Sequence, residues 1–293
     1  MQNNTFYKYK SINDFTLDSL KNKYFYYSRQ EQLDDPFDMY TPVDTLKTNE
    51  EIKELFRHDP ETAALHTIDS YKRKQEASEY DEKYHSKFLE ATQMFHVFCL
   101  TPICDNDAMW ALYAANYNGI AIGYKVCDDK RNYSIRLGQK RKINKQRQFL
   151  LEQRKERFYE NPDLRIVFSP VVYDISKIKK FTPLLTDYRE MLVNEYIKKS
   201  IWNFEEEYRS VIISPWHRYD DLKIYYHDEV LSEMIFGYEC SDEDIKKVFE
   251  TIRENYANYS KIKFYKATPN RNKYIIEKKP LKGLTFLGSE KQF

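Results

Sequence analysis

Alternating apolar and polar residues divide the chain into short strands separated by amphipathic helices. Period-two alternation predicts strands at 6–10, 24–27, 95–100, 120–125, 166–173, 201–213, 230–237, 261–266 and 273–277. Helical spacing of apolar residues predicts helices at 13–21, within 49–94 (the second of them at about 61–91), at 105–119, 138–159 and 185–200, and after Ser241. The order predicts one α+β domain over residues 1–293, with a mixed, mainly antiparallel sheet core and a helical insertion at 46–94.

Composition narrows the classes of protein to which the chain can belong. Hydrophobic residues make up 41% of the 293 residues and charged residues 32%, as in a folded domain with a substantial core. Lys and Arg (47) nearly balance Asp and Glu (46), so no global basic field draws the chain to nucleic acid. Glycine is scarce, with 6 residues, and no phosphate-binding glycine loop is present.

The location of the protein is also predicted from composition. No window approaches the run of about 18 apolar residues that a membrane span needs, and the first residues lack the apolar segment of a signal peptide. The four cysteines have no CxxC pair and no framework spacing, which is typical of a reducing compartment. We therefore expect a soluble, cytoplasmic protein that does not contact a membrane.

The stretch 201–213 carries the strongest chemical signal. On a strand, Glu205, Glu207 and Arg209 would share one face, because side chains alternate between the two faces of a sheet. Burial of two unpaired carboxylates is costly, so such a row indicates either a polar active site positioned by Arg209 or a solvated strand face with a cross-strand ion pair. Paired carboxylates suit a reaction in which a sugar ring develops positive charge.

Other candidate sites are weaker. His96 and Cys99 would lie on opposite faces of a strand, and no second ligand pair has zinc spacing, so no metal site is expected. Trp110 and Tyr113 belong to a helix that is apolar on two sides; they either pack in the core or line a pocket. The basic segment 138–159 is either a solvated helix or a nucleic-acid face.

Four motifs, in this order, resemble a bacterial family known as domain-of-unknown-function family 2971. They are Tyr7-Lys8-Tyr9-Lys10, Asp35-Pro36-Phe37-Asp38, Met109-Trp110-Ala111-Leu112-Tyr113-Ala114 leading to Gly119, and Trp202-x-x-Glu205-x-Glu207-x-Arg209. They span residues 6 to about 240. The family often has Arg where Lys10 stands and Asn where Asp34 stands, and Lys lacks the bidentate geometry of Arg.

The layout also resembles ADP-ribosyltransferase folds, and this resemblance implies roles for individual residues. Lys8 or Lys10 would contact the phosphates or ribose of NAD, and Tyr27 and Ser28 would mark the second-strand position. Glu207 would hold the nicotinamide ribose and stabilise its developing charge, Glu205 would orient an acceptor, and Arg209 would hold the geometry. Trp110 or Tyr113 would pack on the nicotinamide. The transferase pattern has Arg or His on the first strand where this chain has Lys.

Three hypotheses about function follow. The first is an NAD-using ADP-ribosyltransferase-like enzyme, with NAD as substrate and a nucleic acid or protein as acceptor, acting as a toxin or a phage-defence effector. The second is a non-catalytic binding or regulatory module in which Glu205, Glu207 and Arg209 form a buried structural network. The third is a hydrolase or nuclease that uses the carboxylates with Mg²⁺.

Overall fold

A computed structural model describes residues 4–42, 48–58, 60–76, 94–129, 132–137, 165–180, 188–213 and 222–281. This part of the chain contains α-helices and a mixed, mainly antiparallel sheet, which confirms the predicted α+β class. The α-helices are α1 (Asp14–Asn22), α2 (Asn49–His58), α3 (Pro60–Leu65), α4 (Ile68–Glu76), α5 (Asp107–Tyr113) and α6 (Asp242–Asn255). The strands are β1 (Asn4–Lys10), β2 (Tyr24–Tyr26), β3 (Phe95–Leu100), β4 (Ile120–Asp129), β5 (Asn132–Arg136), β6 (Arg165–Pro170), β7 (Tyr208–Ile213), β8 (Lys223–Tyr225), β9 (Leu231–Phe236), β10 (Lys263–Asn270) and β11 (Ile275–Pro280).

One large sheet organises the molecule. Its strand order is β11-β10-β9-β4-β5-β6-β7-β3, and β1 pairs with β4 outside this path. Only the pairing of β9 with β10 is parallel within the described sheet. Strands β2 and β8 form a separate antiparallel pair. Hairpins join β4 to β5 and β10 to β11, and the other antiparallel pairs bring together strands that are separated by longer stretches of chain. The parallel pair needs a crossover, which here contains α6.

The sheet curls so that β1 approaches β3. Tyr7 and Thr101, the residue after β3, exchange two backbone hydrogen bonds of 2.7 and 3.0 Å. Strands β1, β4, β5, β6, β7 and β3 therefore enclose the main apolar core. Residues that face into this core are Phe6, Phe98, Tyr124, Ile135 and Phe168. Tyr7 and Tyr9 point to the other face of β1, where they pack against α5, so Lys8 and Lys10 share their face of β1 with Phe6.

Local signals explain why several helices begin and end where they do. Asn13 caps α1 by accepting a hydrogen bond from the amide of Thr16, and Ser241 caps α6 through the amide of Asp244. The predicted helix 105–119 ends earlier, at Tyr113. Ala115, Asn116 and Tyr117 have φ values of 48°, 50° and 66°, and a right-handed helix does not continue through such residues.

Two further predicted segments have a different secondary structure. Within the amphipathic α-helix predicted at 185–200, Tyr188–Tyr196 forms 3₁₀ turns instead, and residues 185–187 lie outside the described part of the chain. The strand predicted at 201–213 begins only at Tyr208, since Ser200–Glu205 is a further 3₁₀ segment. Strands β5 and β8 were not predicted.

The described part of the predicted insertion contains three short helices. Helices α2, α3 and α4 lie between residues 49 and 76, and Ile52, Leu55 and Tyr71 form a small apolar cluster between them. The single helix predicted at 61–91 is divided into α3 and α4, and its remainder lies outside the described residues, as does the basic segment 138–159. The insertion boundaries at 46–94 and the single-domain organisation stay predictions. In the described residues, no helix is both long and apolar enough to cross a bilayer.

Gly119 provides a test of the contact between β1 and the turn after α5. A Cβ atom at this position would lie 2.3 Å from the carbonyl oxygen of Lys10 and 2.8 Å from that of Ala114. Both are backbone atoms, so Gly119→Ala forces the backbone apart and should lower the free energy of unfolding by about 1–3 kcal/mol or more in urea. Lys125→Ala, an exposed change on β4, should stay within about 0.5 kcal/mol. Equal stability of the two variants would contradict this packing.

Candidate functional site

The buried guanidinium of Arg209 is the centre of the site. Arg209 is 0% exposed, and two of its nitrogens donate to the two oxygens of Asp38 at 2.7 and 2.6 Å. Its Nε and Nη2 donate to the two oxygens of Glu207 at 2.7 and 3.0 Å. Nη1 also donates to the backbone carbonyl of Glu195 at 2.8 Å. A guanidinium has five N–H donors, and all five have an acceptor here.

Lys198 is the second buried cation of the site. Its Nζ donates to Glu205 Oε2 at 2.6 Å and lies 3.4 Å from carboxylate oxygens of both Glu207 and Asp38. The same amine sits 4.9 Å from the centre of the Trp202 ring. Burial lowers the pKa of Lys198, but the carboxylates of Glu207, Asp38 and Glu205 outweigh burial and hold it above its usual value. Lys198 is therefore a fixed cation and not a neutral nucleophile.

The two cations face four carboxyl groups, so the ionised forms of all four cannot be equally stabilised. Burial raises the pKa of Glu207, yet Arg209 and Lys198 outweigh it and hold this pKa well below the usual range. For Glu205, burial and the Glu207 charge outweigh Lys198 and Tyr113 and raise the pKa to about 7. Burial raises the pKa of Glu195 well above its usual range. At neutral pH, Glu207 is therefore a permanent anion, and Glu205 exchanges its proton readily.

The backbone places these two carboxylates by a turn and not by strand alternation. Ser200–Glu205 is a 3₁₀ segment, and Glu206 then adopts a left-handed conformation with φ 44°. The segment is held against α5, because Asn106 donates to the carbonyl of Phe204 at 3.0 Å. Tyr113, also on α5, donates its hydroxyl to Glu205 Oε1 at 2.5 Å. Glu205, Glu207 and Arg209 do come together, as predicted, but a 3₁₀ turn brings them together and not the alternation of a strand.

An open cleft of about 360 Å³ lies beside the ion network. Its floor includes Glu205, Glu207, Arg209 and Lys198. Its walls come from β1, the first turn of α1 and the segment 26–34. The volume is at the lower end of the range of roughly 300–1,000 Å³ that is usual for small-molecule sites.

Lys8 and Lys10 line this cleft from neighbouring positions on the same face of β1. Neither amine lies within ion-pair distance of a carboxylate in the described part of the chain. Burial and the charge of Lys8 lower the pKa of Lys10 to about 8. Two neighbouring cations without a counter-ion favour an anionic ligand, which would relieve their repulsion.

The structure separates the remaining predicted residues into two groups. Ser28 and Tyr113 line the cleft with Lys8, Lys10, Glu205, Glu207 and Arg209. Tyr27 and Trp110 are both 0% exposed and lie in the apolar core. The hydroxyl of Tyr27 donates to Ser210, and the indole N–H of Trp110 donates to the carbonyl of Cys104. Direct packing of Tyr27 or Trp110 on a ligand in the cleft therefore has no support from the geometry.

Three residues of the ion network were not identified as site residues from the sequence. Asp38 was noted within the Asp35-Pro36-Phe37-Asp38 turn, whereas nothing singled out Lys198 or Glu195. Asp38 and Arg209 lie 171 positions apart, and only the family resemblance connected their two motifs. Lys198 and Glu195 lie in the segment that was predicted to be an ordinary amphipathic helix, and no local pattern distinguishes them.

No group of three or more His, Cys, Asp and Glu side chains among the residues described is placed to hold a metal ion. No protein-family model matches the chain, and no curated protein or solved structure matches it either. The fold and the geometry of the site define an α+β protein with a buried ion network beside an open cleft. The resemblances to family 2971 and to ADP-ribosyltransferases stay expectations from sequence.

The buried network predicts a large stability loss when Arg209 is removed. Arg209→Met leaves Asp38 and Glu207 without their bidentate partner, and breaking a buried pair in this way costs about 3–5 kcal/mol. Urea unfolding should show this decrease in the free energy of unfolding. Lys247→Met is the control, because Lys247 pairs with Glu243 on the exposed surface of α6 and should change stability by no more than about 1 kcal/mol. A small effect at Arg209 would show that the network is not what stabilises this region.

The raised pKa of Glu205 predicts a pH dependence of stability. Its pKa is about 7 in the folded protein and 4.5 ordinarily, so the folded state binds more protons than the unfolded state between these values. This contribution to stability is present at low pH and is lost as pH rises through about 7.

The measurement is the difference in unfolding free energy between wild type and Glu205→Gln at pH 5, 6, 7 and 8. As pH rises, the free energy of unfolding of wild type should fall relative to that of Glu205→Gln by up to about 3 kcal/mol. Glu207 is ionised in the folded state throughout this range and contributes little to the change. A difference that is independent of pH would contradict the assignment.

Proposed function

We propose that the cleft is the active site of an NAD-using ADP-ribosyltransferase-like enzyme. The observation that supports this most is that two carboxyl groups in one cleft have pKa values shifted in opposite directions. Glu207 is ionised, and Glu205 has a pKa of about 7. Groups whose environments separate their pKa values in this way suit a reaction that needs a fixed charge and a proton acceptor. Lys8 and Lys10, which have no carboxylate partner in the described part of the chain, supply positive charge for the diphosphate of the substrate.

The proposed reaction assigns different roles to the two carboxylates. The bond between ribose C1′ and the nicotinamide nitrogen breaks, and neutral nicotinamide leaves with the electron pair. The anion of Glu207 stabilises the positive charge that develops on the ribose. The acceptor then bonds to C1′, and its proton passes to Glu205, whose pKa suits a general base near neutral pH. Tyr113 and Lys198 orient Glu205 through one hydrogen bond each.

A specific observation favours a second candidate, the non-catalytic binding module. Both oxygens of Glu207 accept hydrogen bonds from Arg209, and Lys198 adds a further contact. Two cations therefore share the Glu207 charge, and its field in the cleft is weakened. In this second function the carboxylates only hold the cleft open, and the lysines bind an anionic ligand without turnover.

The test measures ligand binding and turnover separately. Millimolar NAD should raise the melting temperature of the wild type, because a ligand that binds only the folded state stabilises it. Wild type should also release nicotinamide in the presence of candidate protein or nucleic-acid acceptors. Glu205→Gln and Glu207→Gln should each lower this release by about 100-fold or more. Lys10→Gln should reduce the thermal shift.

Glu206→Gln is the matched control, because Glu206 stands between the two candidates and its side chain is exposed. It should leave release and melting temperature unchanged. Circular dichroism checks that each variant is folded. A thermal shift with NAD but no nicotinamide release by wild type would favour the binding module, and no shift at all would contradict NAD as the ligand.

A further inference from the structure

Phe15 is a large aromatic residue that the fold does not bury. Its side chain is 71% exposed, although it lines the cleft. Complete burial of a Phe side chain stabilises a protein by roughly 1.5–3 kcal/mol, so most of that stabilisation is absent here. Single exposed apolar residues are common and need no explanation by themselves. The position of Phe15 and the surroundings of its ring distinguish it from the others.

The position of Phe15 follows from the geometry of α1. Residue Asn13 caps the helix, so Phe15 lies in its first turn, directly after β1 delivers Lys10 to the cleft. Helical side chains lean toward the N-terminus of their helix, which carries the Phe15 ring toward the end of β1. The buried face of α1 is formed by Thr16, Ser19 and Leu20. Phe15 is therefore not an anchor of α1.

Comparison with two other exposed aromatic residues shows what is particular to Phe15. Phe37 is 60% exposed, but the amine of Lys199 lies 3.5 Å from its ring centre and covers one face. Tyr274 is 91% exposed in the turn between β10 and β11 and does not line the cleft. Within the described residues, the ring of Phe15 contacts neither another aromatic ring nor a cation. Its faces are available to a ligand.

A side chain suited to a flat ring and side chains suited to an anion therefore line the same cleft. Phe15 offers an aromatic face, Tyr26 also lines the cleft, and Lys8 and Lys10 offer charge without a carboxylate partner among the described residues. A sugar phosphate would use the lysines only. A nucleotide carries a flat base as well as phosphate, and it would use both. Stacking of a base on an aromatic side chain is tolerant of base identity, because every base has a π face.

We propose that Phe15 is the residue on which a nucleotide base stacks, so that the cleft selects nucleotides over sugar phosphates without a base. This inference rests on the proposed function, since it takes the cleft to be a nucleotide site. It adds a residue outside the resemblance motifs and gives Phe15 a role in ligand selection. Phe15 contacts the ligand but takes no part in bond breaking.

Isothermal titration calorimetry with ADP and with ribose 5-phosphate tests the inference, without any need for an acceptor. Phe15→Ala should weaken ADP binding by about 5- to 150-fold and leave ribose 5-phosphate binding unchanged. Phe15→Tyr keeps a flat ring and should retain ADP affinity. Phe15→Leu keeps apolar volume without a ring and should lose most of it. Tyr274→Ala removes a still more exposed ring that lies away from the cleft, and this variant should bind both ligands like wild type.

The possible outcomes separate failure of this inference from failure of the proposed function. If wild type binds ADP and Phe15→Ala binds it equally well, the stacking role is wrong and the nucleotide site stands. If Phe15→Leu binds ADP like wild type, the contact is apolar and not stacking. If Phe15→Ala weakens both ligands equally, Phe15 supports the cleft and selects nothing. If wild type binds neither ligand, the nucleotide site and this inference are both wrong.

Discussion

The rest of the structure depends on the buried Arg209 guanidinium and its acceptors. A cation of this size is stable away from water only when its donors are satisfied and its charge is balanced. The acceptors come from Asp38, Glu195 and Glu207, which lie on three separate segments. Arg209 therefore fixes the loop before α2, the 3₁₀ segment 188–196 and the start of β7 relative to one another. Because these segments adjoin the cleft, one interaction determines both local stability and the shape of the site.

The network also determines which group in the cleft can titrate. Arg209 and Lys198 provide two positive charges, whereas Asp38, Glu195, Glu205 and Glu207 provide four carboxyl groups. Glu207 contacts both cations and stays ionised, but the Glu205 carboxyl group bonds, among the described residues, to Lys198 and Tyr113. Its pKa near 7 follows from burial beside an anion with one compensating cation. The same arrangement that stabilises the fold thus leaves one carboxyl group near neutrality, which is what acid–base chemistry requires.

The two candidate functions share this network and differ in how the cleft is used. Lys8 and Lys10 favour an anionic ligand in either case, and Phe15 adds a flat apolar surface to the same cleft. The Phe15 ring contributes little to the folded state because it is mostly exposed, and the lysines lack carboxylate partners in the described part of the chain. Arg209 and Lys198, in contrast, are committed to internal contacts. Ligand recognition and structural support therefore fall largely to different residues of one cleft.

The sequence by itself determined the elements whose signals are local. Strands β1, β3, β4 and β9 follow from apolar alternation, and α1 and α6 begin at capping residues that can be read directly. It also indicated that Glu205, Glu207 and Arg209 belong together. Only the tertiary structure decided that a 3₁₀ turn places them, that Lys198 and Asp38 complete the network, and that Tyr27 and Trp110 are core residues. The physical reason is range: periodicity and capping act over a few residues, whereas charge pairing and desolvation depend on groups brought together from positions as far apart as 38 and 209.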